Sequence, residues 1–117
     1  MPYLVKKTQS GKFMSKLKAG NNEVILTSEM YEAKASALNG IDSVRRNGAN
    51  DGSFEIKASS AGQPYFVLKA ANQEIIGRSE MYKSAASVRR GIASVKRNCA
   101  STGVKDPNYD DTRYVVD

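Results

Sequence analysis

Residues 65–69 read Tyr-Phe-Val-Leu-Lys, with Phe66 and Leu68 alternating against Tyr65, Val67 and Lys69, the period of a strand whose two faces differ. Elsewhere the apolar period lengthens. Ala33, Ala37, Ile41 and Val44 fall on one side of a helix over 33–46, and Ser84, Val88, Ile92 and Val95 do so over 84–97. Both stripes are expected to pack on a sheet. Turns at Gln9-Ser10-Gly11, Gly20-Asn21-Asn22, Ser60-Ala61-Gly62 and Ala71-Asn72-Gln73 predict strands over 3–7, 12–19 and 23–28, then 54–58, 63–70 and 74–79. Turns this short join antiparallel neighbours. Val24-Ile25-Leu26 does not alternate, which predicts burial on both sides and an interior place in the sheet. Pro64 cannot donate a ladder bond and belongs at a strand start or a sheet edge.

The first half of this pattern matches the second at an offset of 51. Ser28-Glu29-Met30-Tyr31 falls on Ser79-Glu80-Met81-Tyr82, and Gly40-Ile41 on Gly91-Ile92. Over residues 3–49 against 54–100, about 21 of 47 positions are identical where chance would give about three, so the chain is a duplication. Two copies are too few for a solenoid. The expectation is an α+β domain of two β-β-β-α units, residues 3–49 and 54–100, closing on one another about a pseudo-twofold axis, with 101–117 as a C-terminal tail.

A second stripe on each helix is unusual. Ser36, Gly40, Ser43 and Asn47 recur as Ser87, Gly91, Ser94 and Asn98, small residues at identical spacing. A mid-helix glycine costs about 1 kcal/mol relative to alanine, so its repetition implies that something needs the missing side chain. Two readings stand side by side: the helices cross closely at Gly40 and Gly91, or each glycine lets its helix sit nearer the sheet.

The chain resembles the YegP-like family of small bacterial proteins. The residues that carry the resemblance are Leu17-Lys18-Ala19-Gly20-Asn21, Ile25-Leu26-Thr27-Ser28-Glu29-Met30-Tyr31 and Gly40-Ile41-Asp42-Ser43-Val44, with their counterparts in the second copy. The resemblance covers residues 3–105. It implies one six-stranded antiparallel sheet with both helices on the same face, and it brings no established activity and no catalytic residues. Two departures stand out: Ala33 where that family often opens the helix with a small hydroxyl residue, and an added stretch after Lys105.

Composition narrows the chemistry. At 117 residues the chain hides roughly 65% of its unfolded surface on folding, enough for one core without disulfides or metal. It has no histidine and one cysteine, which excludes His-dependent triads, imidazole zinc sites and multi-cysteine clusters. No cofactor and no metal is expected. Cys99 stands where the first copy has Gly48 and reads as incidental. The N-terminus lacks an apolar signal segment, so the expected setting is cytoplasmic, without membrane contact. Ser28-Glu29 and its copy suggest a nucleophile with a base, yet nothing orients the pair. The expectation is that Met30 and Tyr31 bury at the strand-helix corner while Ser28 and Glu29 satisfy backbone donors.

The net charge is +6, and it is uneven: residues 54–100 carry eight basic and three acidic groups. Arg89, Arg90, Lys96 and Arg97 ride the second helix, with Arg45 and Arg46 near the end of the first. A basic ridge of this kind could track phosphates. If the helices cover one face of the sheet, the other, with Met14, Lys16, Lys18, Tyr65, Val67 and Lys69, suits a weak partner surface. The acidic tail permits either a flexible extension or a segment folded back on the basic units.

The expected protein is therefore a non-enzymatic tandem-repeat binding or interaction module, monomeric or weakly dimeric. The alternative is a nucleic-acid-associated protein using the second-helix face. The expected partner is accordingly a protein or a nucleic acid.

Overall fold

The computed structural model describes residues 2–105. The elements are β1 (Tyr3–Lys7), β2 (Phe13–Lys18), β3 (Val24–Ser28), α1 (Lys34–Asn47), a 3-10 turn (Asp51–Ser53), β4 (Phe54–Ala58), β5 (Pro64–Lys69), β6 (Ile75–Arg78), α2 (Ala85–Asn98) and β7 (Val104–Lys105). Of the C-terminal tail anticipated over residues 101–117, residues 101–105 are part of the fold and end in β7, and residues 106–117 lie outside the described residues.

The strands form one sheet in the order β4-β5-β6-β3-β2-β1-β7. Six pair antiparallel, and β7 lies parallel to β1 with Tyr3 opposite Val104, so the sheet is mixed and seven-stranded instead of six-stranded and antiparallel. The seventh strand has a clear cause. Tyr3 N–H donates to the Gly103 carbonyl at 3.2 Å, and Arg45 reaches from α1 to the carbonyls of Ser101 and Thr102 at 2.9 and 3.1 Å. Together they hold the segment that leaves α2 against the sheet edge.

Both helices share one face. Ile41 and Val44 of α1 and Val88 and Val95 of α2 enter one core with Tyr3, Val5, Leu17, Phe66 and Leu68. Burial of these side chains supplies the main stabilisation, on the order of 2 kcal/mol for each large apolar group. Gly40 and Gly91 are buried in the same helix faces, whereas Ala33 is exposed at the helix start. The two N-termini differ as the residues require: Ser84 Oγ accepts from Ser87 N–H, and Ala33 offers no side-chain cap.

The apolar triplet in β3 is interior to the sheet, but its lack of alternation has a different origin from burial on two faces. A bulge shifts the register opposite Leu17/Lys18, leaving Ile25 unpaired, and Ile25 and Leu26 both enter the helix-side core. The same shift recurs opposite Leu68/Lys69 and sends Ile76 inward. Val67 points the other way. It is 0% exposed yet stands outside the main core, on the face that carries no helix.

Where the repeats meet, residues face their own counterparts. Thr27 pairs with Arg78, which is its equivalent 51 positions later. A Cβ at Gly77 would lie 2.8 Å from Cγ of Leu26, and one at Gly48 would lie 2.7 Å from Cβ of Cys99, again matched positions. In both pairs one copy has given up its side chain so that the other has room.

Candidate functional site

Each helix looks across an open cleft at the strand-strand turn of the other repeat. The larger cleft, about 670 Å³, lies between α2 and the β2–β3 turn; Ser87, Arg90, Gly91, Ser94, Arg97 and Asn98 form one wall, and Gly20, Asn21 and Glu23 the other. The smaller, about 420 Å³, sets Ser43, Arg46 and Asn47 of α1 against Ala70, Ala71 and Asn72. The whole small-residue stripe of α2 lines the larger cleft, and Ser43 and Asn47 of the α1 stripe line the smaller. Opposite them stands the other repeat's turn and not the other helix, so of the two readings of Gly40 and Gly91 the helix crossing is not what forms.

The glycines answer to a nearer neighbour. The three atoms closest to a Cβ built at Gly40 belong to Tyr31, with its hydroxyl at 2.7 Å. At Gly91 that Cβ would run into the Tyr82 hydroxyl and also lie 3.1 Å from Cε2 of Phe66 on β5. The missing side chain leaves the room in which the phenol of the Ser-Glu-Met-Tyr segment lies across the helix. Tyr82 stacks on Phe66 with ring centroids 6.3 Å apart, which fixes one end of the larger cleft.

The opposing wall is held locally. Asn21 Oδ1 accepts from Glu23 N–H at 3.1 Å, and Asn72 Oδ1 from Glu74 N–H at 3.0 Å. These Asx contacts stabilise turns whose Asn22 and Gln73 both take positive φ, near 71° and 73°. On the helix side, Asn98 Nδ2 donates to the Ser94 carbonyl at 2.7 Å and Asn47 Nδ2 to that of Ser43 at 2.8 Å, so each asparagine is fixed at its helix end. Burial raises the Tyr82 phenol above its ordinary value, with the Glu80 and Glu23 carboxylates adding to the effect. Tyr31 is raised in the same way by burial, Glu29 and Glu74. Both phenols thus remain protonated hydrogen-bond donors at neutral pH.

The six cations singled out in the sequence part company here. Arg90 and Arg97 line the larger cleft, and Arg90 also donates to Ser87 Oγ at 3.1 Å. Arg46 lines the smaller one. Arg89 is exposed and makes no ion pair among the described residues. Lys96 pairs with Asp51 of the linker. Arg45 is structural: it pairs with Asp42 at 2.8 Å, holds two backbone carbonyls and lies 5.1 Å from the Tyr3 ring centroid. Ser36 and Ser87 are partly buried beside the helix starts, and Ser43 and Ser94 pack within the stripes.

The Ser-Glu-Met-Tyr segments also resolve into separate roles. Ser28 Oγ accepts from Ser15 N–H at 2.8 Å and Ser79 Oγ from Phe66 N–H at 3.0 Å, so both hydroxyls are spent on β-ladder donors. Met30 and Met81 are 55% and 47% exposed, contrary to the expected burial; the backbone stays bonded to the neighbouring strand at Tyr31 and Tyr82, and it is the tyrosine that lies against the helix glycine. Glu29 crosses the repeat boundary to Arg78 at 3.1 Å instead of capping backbone. Cys99 lies in the core, where burial pushes its thiol up, away from reactivity. Sequence reasoning missed Gly20, Asn21 and Glu23 as cleft residues. Nothing in a linear repeat tells which turn faces which helix. Among the described residues no helix is long and apolar enough to cross a membrane, and no group of three His, Cys, Asp or Glu is placed to hold a metal.

Comparison with known proteins agrees with this architecture. The chain is 54% identical over 100 residues to the UPF0339 protein YegP of Escherichia coli O157:H7, covering 86% of this chain and 91% of that protein. A Pasteurella multocida UPF0339 protein is 49% identical over 104 residues, covering 89% and 91%. The solution structure of E. coli YegP, described as a protein of unknown function, superimposes with a TM-score of 0.86 at 49% identity, covering 93% of this chain and 94% of that one. A Shewanella oneidensis UPF0339 structure gives 0.84 at 45% identity, covering 91% and 92%. A domain of unknown function, DUF1508, matches twice, at residues 9–55 and 59–106, once for each repeat, and the chain belongs to that family.

Proposed function

We propose that the protein is a non-catalytic binding module, that its two clefts are related by a pseudo-twofold axis through the β3–β6 pair, and that the larger cleft is its recognition site for a small anionic ligand. One observation carries the reading. The clefts are built from matching positions, but Arg90 lines the larger where its counterpart in α1 is Asn39, so α2 presents two guanidinium groups, Arg90 and Arg97, to its cleft where α1 presents Arg46, with the Glu23 carboxylate on the wall opposite the pair. Arg90 and Arg97, two helical turns apart, flank Ser87, Ser94 and the Tyr82 hydroxyl, a set of donors suited to phosphate or carboxylate oxygens. The hydroxyls committed to backbone and the buried thiol support binding over catalysis. A single buried cysteine is in keeping with a cytoplasmic setting.

The test is a titration of the isotope-labelled chain with inorganic phosphate, nucleotides and dicarboxylates, followed by amide shifts. Movement at Gly91, Ser94 and Asn98 that disappears in Arg90→Ala/Arg97→Ala supports the reading. If no anion moves these amides, it is wrong.

The second reading, nucleic-acid association, draws on Arg89, which is exposed and unpaired among the described residues on the same helix. Polarisation titrations with single- and double-stranded DNA and RNA at low salt separate the two. Binding that weakens with salt and is lost on Arg89→Glu as well as Arg90→Glu supports a phosphate-tracking ridge, whereas absence of binding removes it.

A further inference from the structure

We propose that the protein self-associates by antiparallel pairing of β4 with β4 of a second copy, centred on Ile56. The two outer strands of the repeats are equivalent in sequence position but not in circumstance. β1 has its outer side occupied by β7, whereas among the described residues no strand pairs with the outer side of β4. The fold thus already accepts an added strand at the matching edge.

The direction of the open backbone groups is fixed by their neighbours. Phe54 N–H is satisfied by the Asp51 carbonyl and not by β5. Phe66, paired with Ile56, turns its N–H and carbonyl toward Ser79; Pro64, paired with Ala58, turns its carbonyl toward Tyr82 N–H. Alternation along an antiparallel ladder then leaves the N–H and C=O of Ile56, the N–H of Ala58 and the C=O of Phe54 facing outward. A twofold axis through Ile56 pairs all of them: Ile56 with Ile56, and Ala58 N–H with the Phe54 carbonyl of the second copy.

The side chains fit that register. Glu55 comes opposite Lys57 of the second copy and Lys57 opposite Glu55, in the closer, non-hydrogen-bonded kind of pair, so the strand is complementary in charge to itself. Ile56, 50% exposed at the edge, meets its own copy and is covered. β4 carries no proline and no bulge, two of the devices that usually protect an edge.

Sedimentation of the full chain over a concentration series tests this. The expected result is a monomer–dimer equilibrium that weakens at least about tenfold in Glu55→Lys and in Lys57→Glu taken singly, each of which sets like charges opposite one another. An equimolar mixture of the two variants is expected to regain a dimer, because an edge in positive excess then faces one in negative excess. Glu55 is well exposed, and a thermal melt of each variant verifies that the fold is kept. A chain that stays monomeric throughout, whether β4 is bare or covered by the chain's own C-terminal segment, overturns the proposal. So does a dimer indifferent to both substitutions, or a mixture that fails to reassociate.

Discussion

Leu26 and Gly77 hold the same place in their repeats, and they could not both be leucine. A side chain at residue 77 would enter the space that Leu26 fills, and Gly48 makes the same concession to Cys99. Away from the junction the repeats remain alike: Gly11 and Gly62 share positive φ near 85° and 82°, the bulges recur, and both tyrosines lie over helix glycines. The difference teaches where a fused duplication is free to diverge. Positions that meet their own equivalents must share one volume, and joining two copies in one chain lets one take it while the other retreats.

Gly77→Leu breaks this arrangement most severely. Overpacking the junction is expected to cost about 3 kcal/mol, seen as a lower urea midpoint. The double variant Leu26→Gly/Gly77→Leu exchanges the two roles and should recover most of the loss, since the pair is coupled through one shared volume. If the double variant is as unstable as the sum of the singles, the shared-volume account is wrong.

The helix starts offer a smaller contrast. α1 begins at Ala33 without a side-chain cap and α2 at Ser84 with one. Ala33→Ser should stabilise by about 1 kcal/mol and Ser84→Ala should destabilise by a similar amount, which chemical denaturation resolves. The two substitutions together should nearly cancel.

The least effect at neutral pH, and a distinct one in alkali, comes from groups that only one repeat possesses. Burial raises the phenol of Tyr3 well above its ordinary value and lifts the thiol of Cys99, and their counterparts are Phe54 and Gly48. A raised value in the folded chain means the unfolded chain loses its proton first. The associated stability is whole below the ordinary values of 9.0 for the thiol and 10.0 for the phenol, and is lost as pH climbs through the folded-state values. Urea midpoints should hold to about pH 9 and then fall. Tyr3→Phe should flatten that fall while lowering stability at neutral pH, because the Tyr3 hydroxyl donates to the Cys99 carbonyl at 2.6 Å.

Much of the fold was legible along the chain because its causes are local. Glycine and asparagine turns, period-two alternation in Tyr65–Lys69 and the four-three spacing of helix apolar residues each act within a few residues, and the strands and helices lie within one or two positions of where these signals put them. The candidate site was legible only in part. Arg90, Arg97 and the stripe of Ser87, Gly91 and Ser94 stood out in the sequence, but their partner wall, Gly20, Asn21 and Glu23, lies in the other repeat. Arg45 looked like a surface cation until the segment between α2 and β7 gave it the carbonyls of Ser101 and Thr102 to hold.

The sequence by itself determined that there are two equivalent β-β-β-α units, where each turn falls and which helix face is apolar, since propensity, turn chemistry and periodicity are properties of neighbouring residues. The tertiary structure alone decided that β7 closes one edge while β4 is left open among the described residues, that Gly40 and Gly91 each make room for a tyrosine, and that Leu26 and Cys99 prevail over glycine counterparts. Those outcomes depend on which surfaces of the two units share a volume, and residues about fifty positions apart compete for that volume only once the chain has folded.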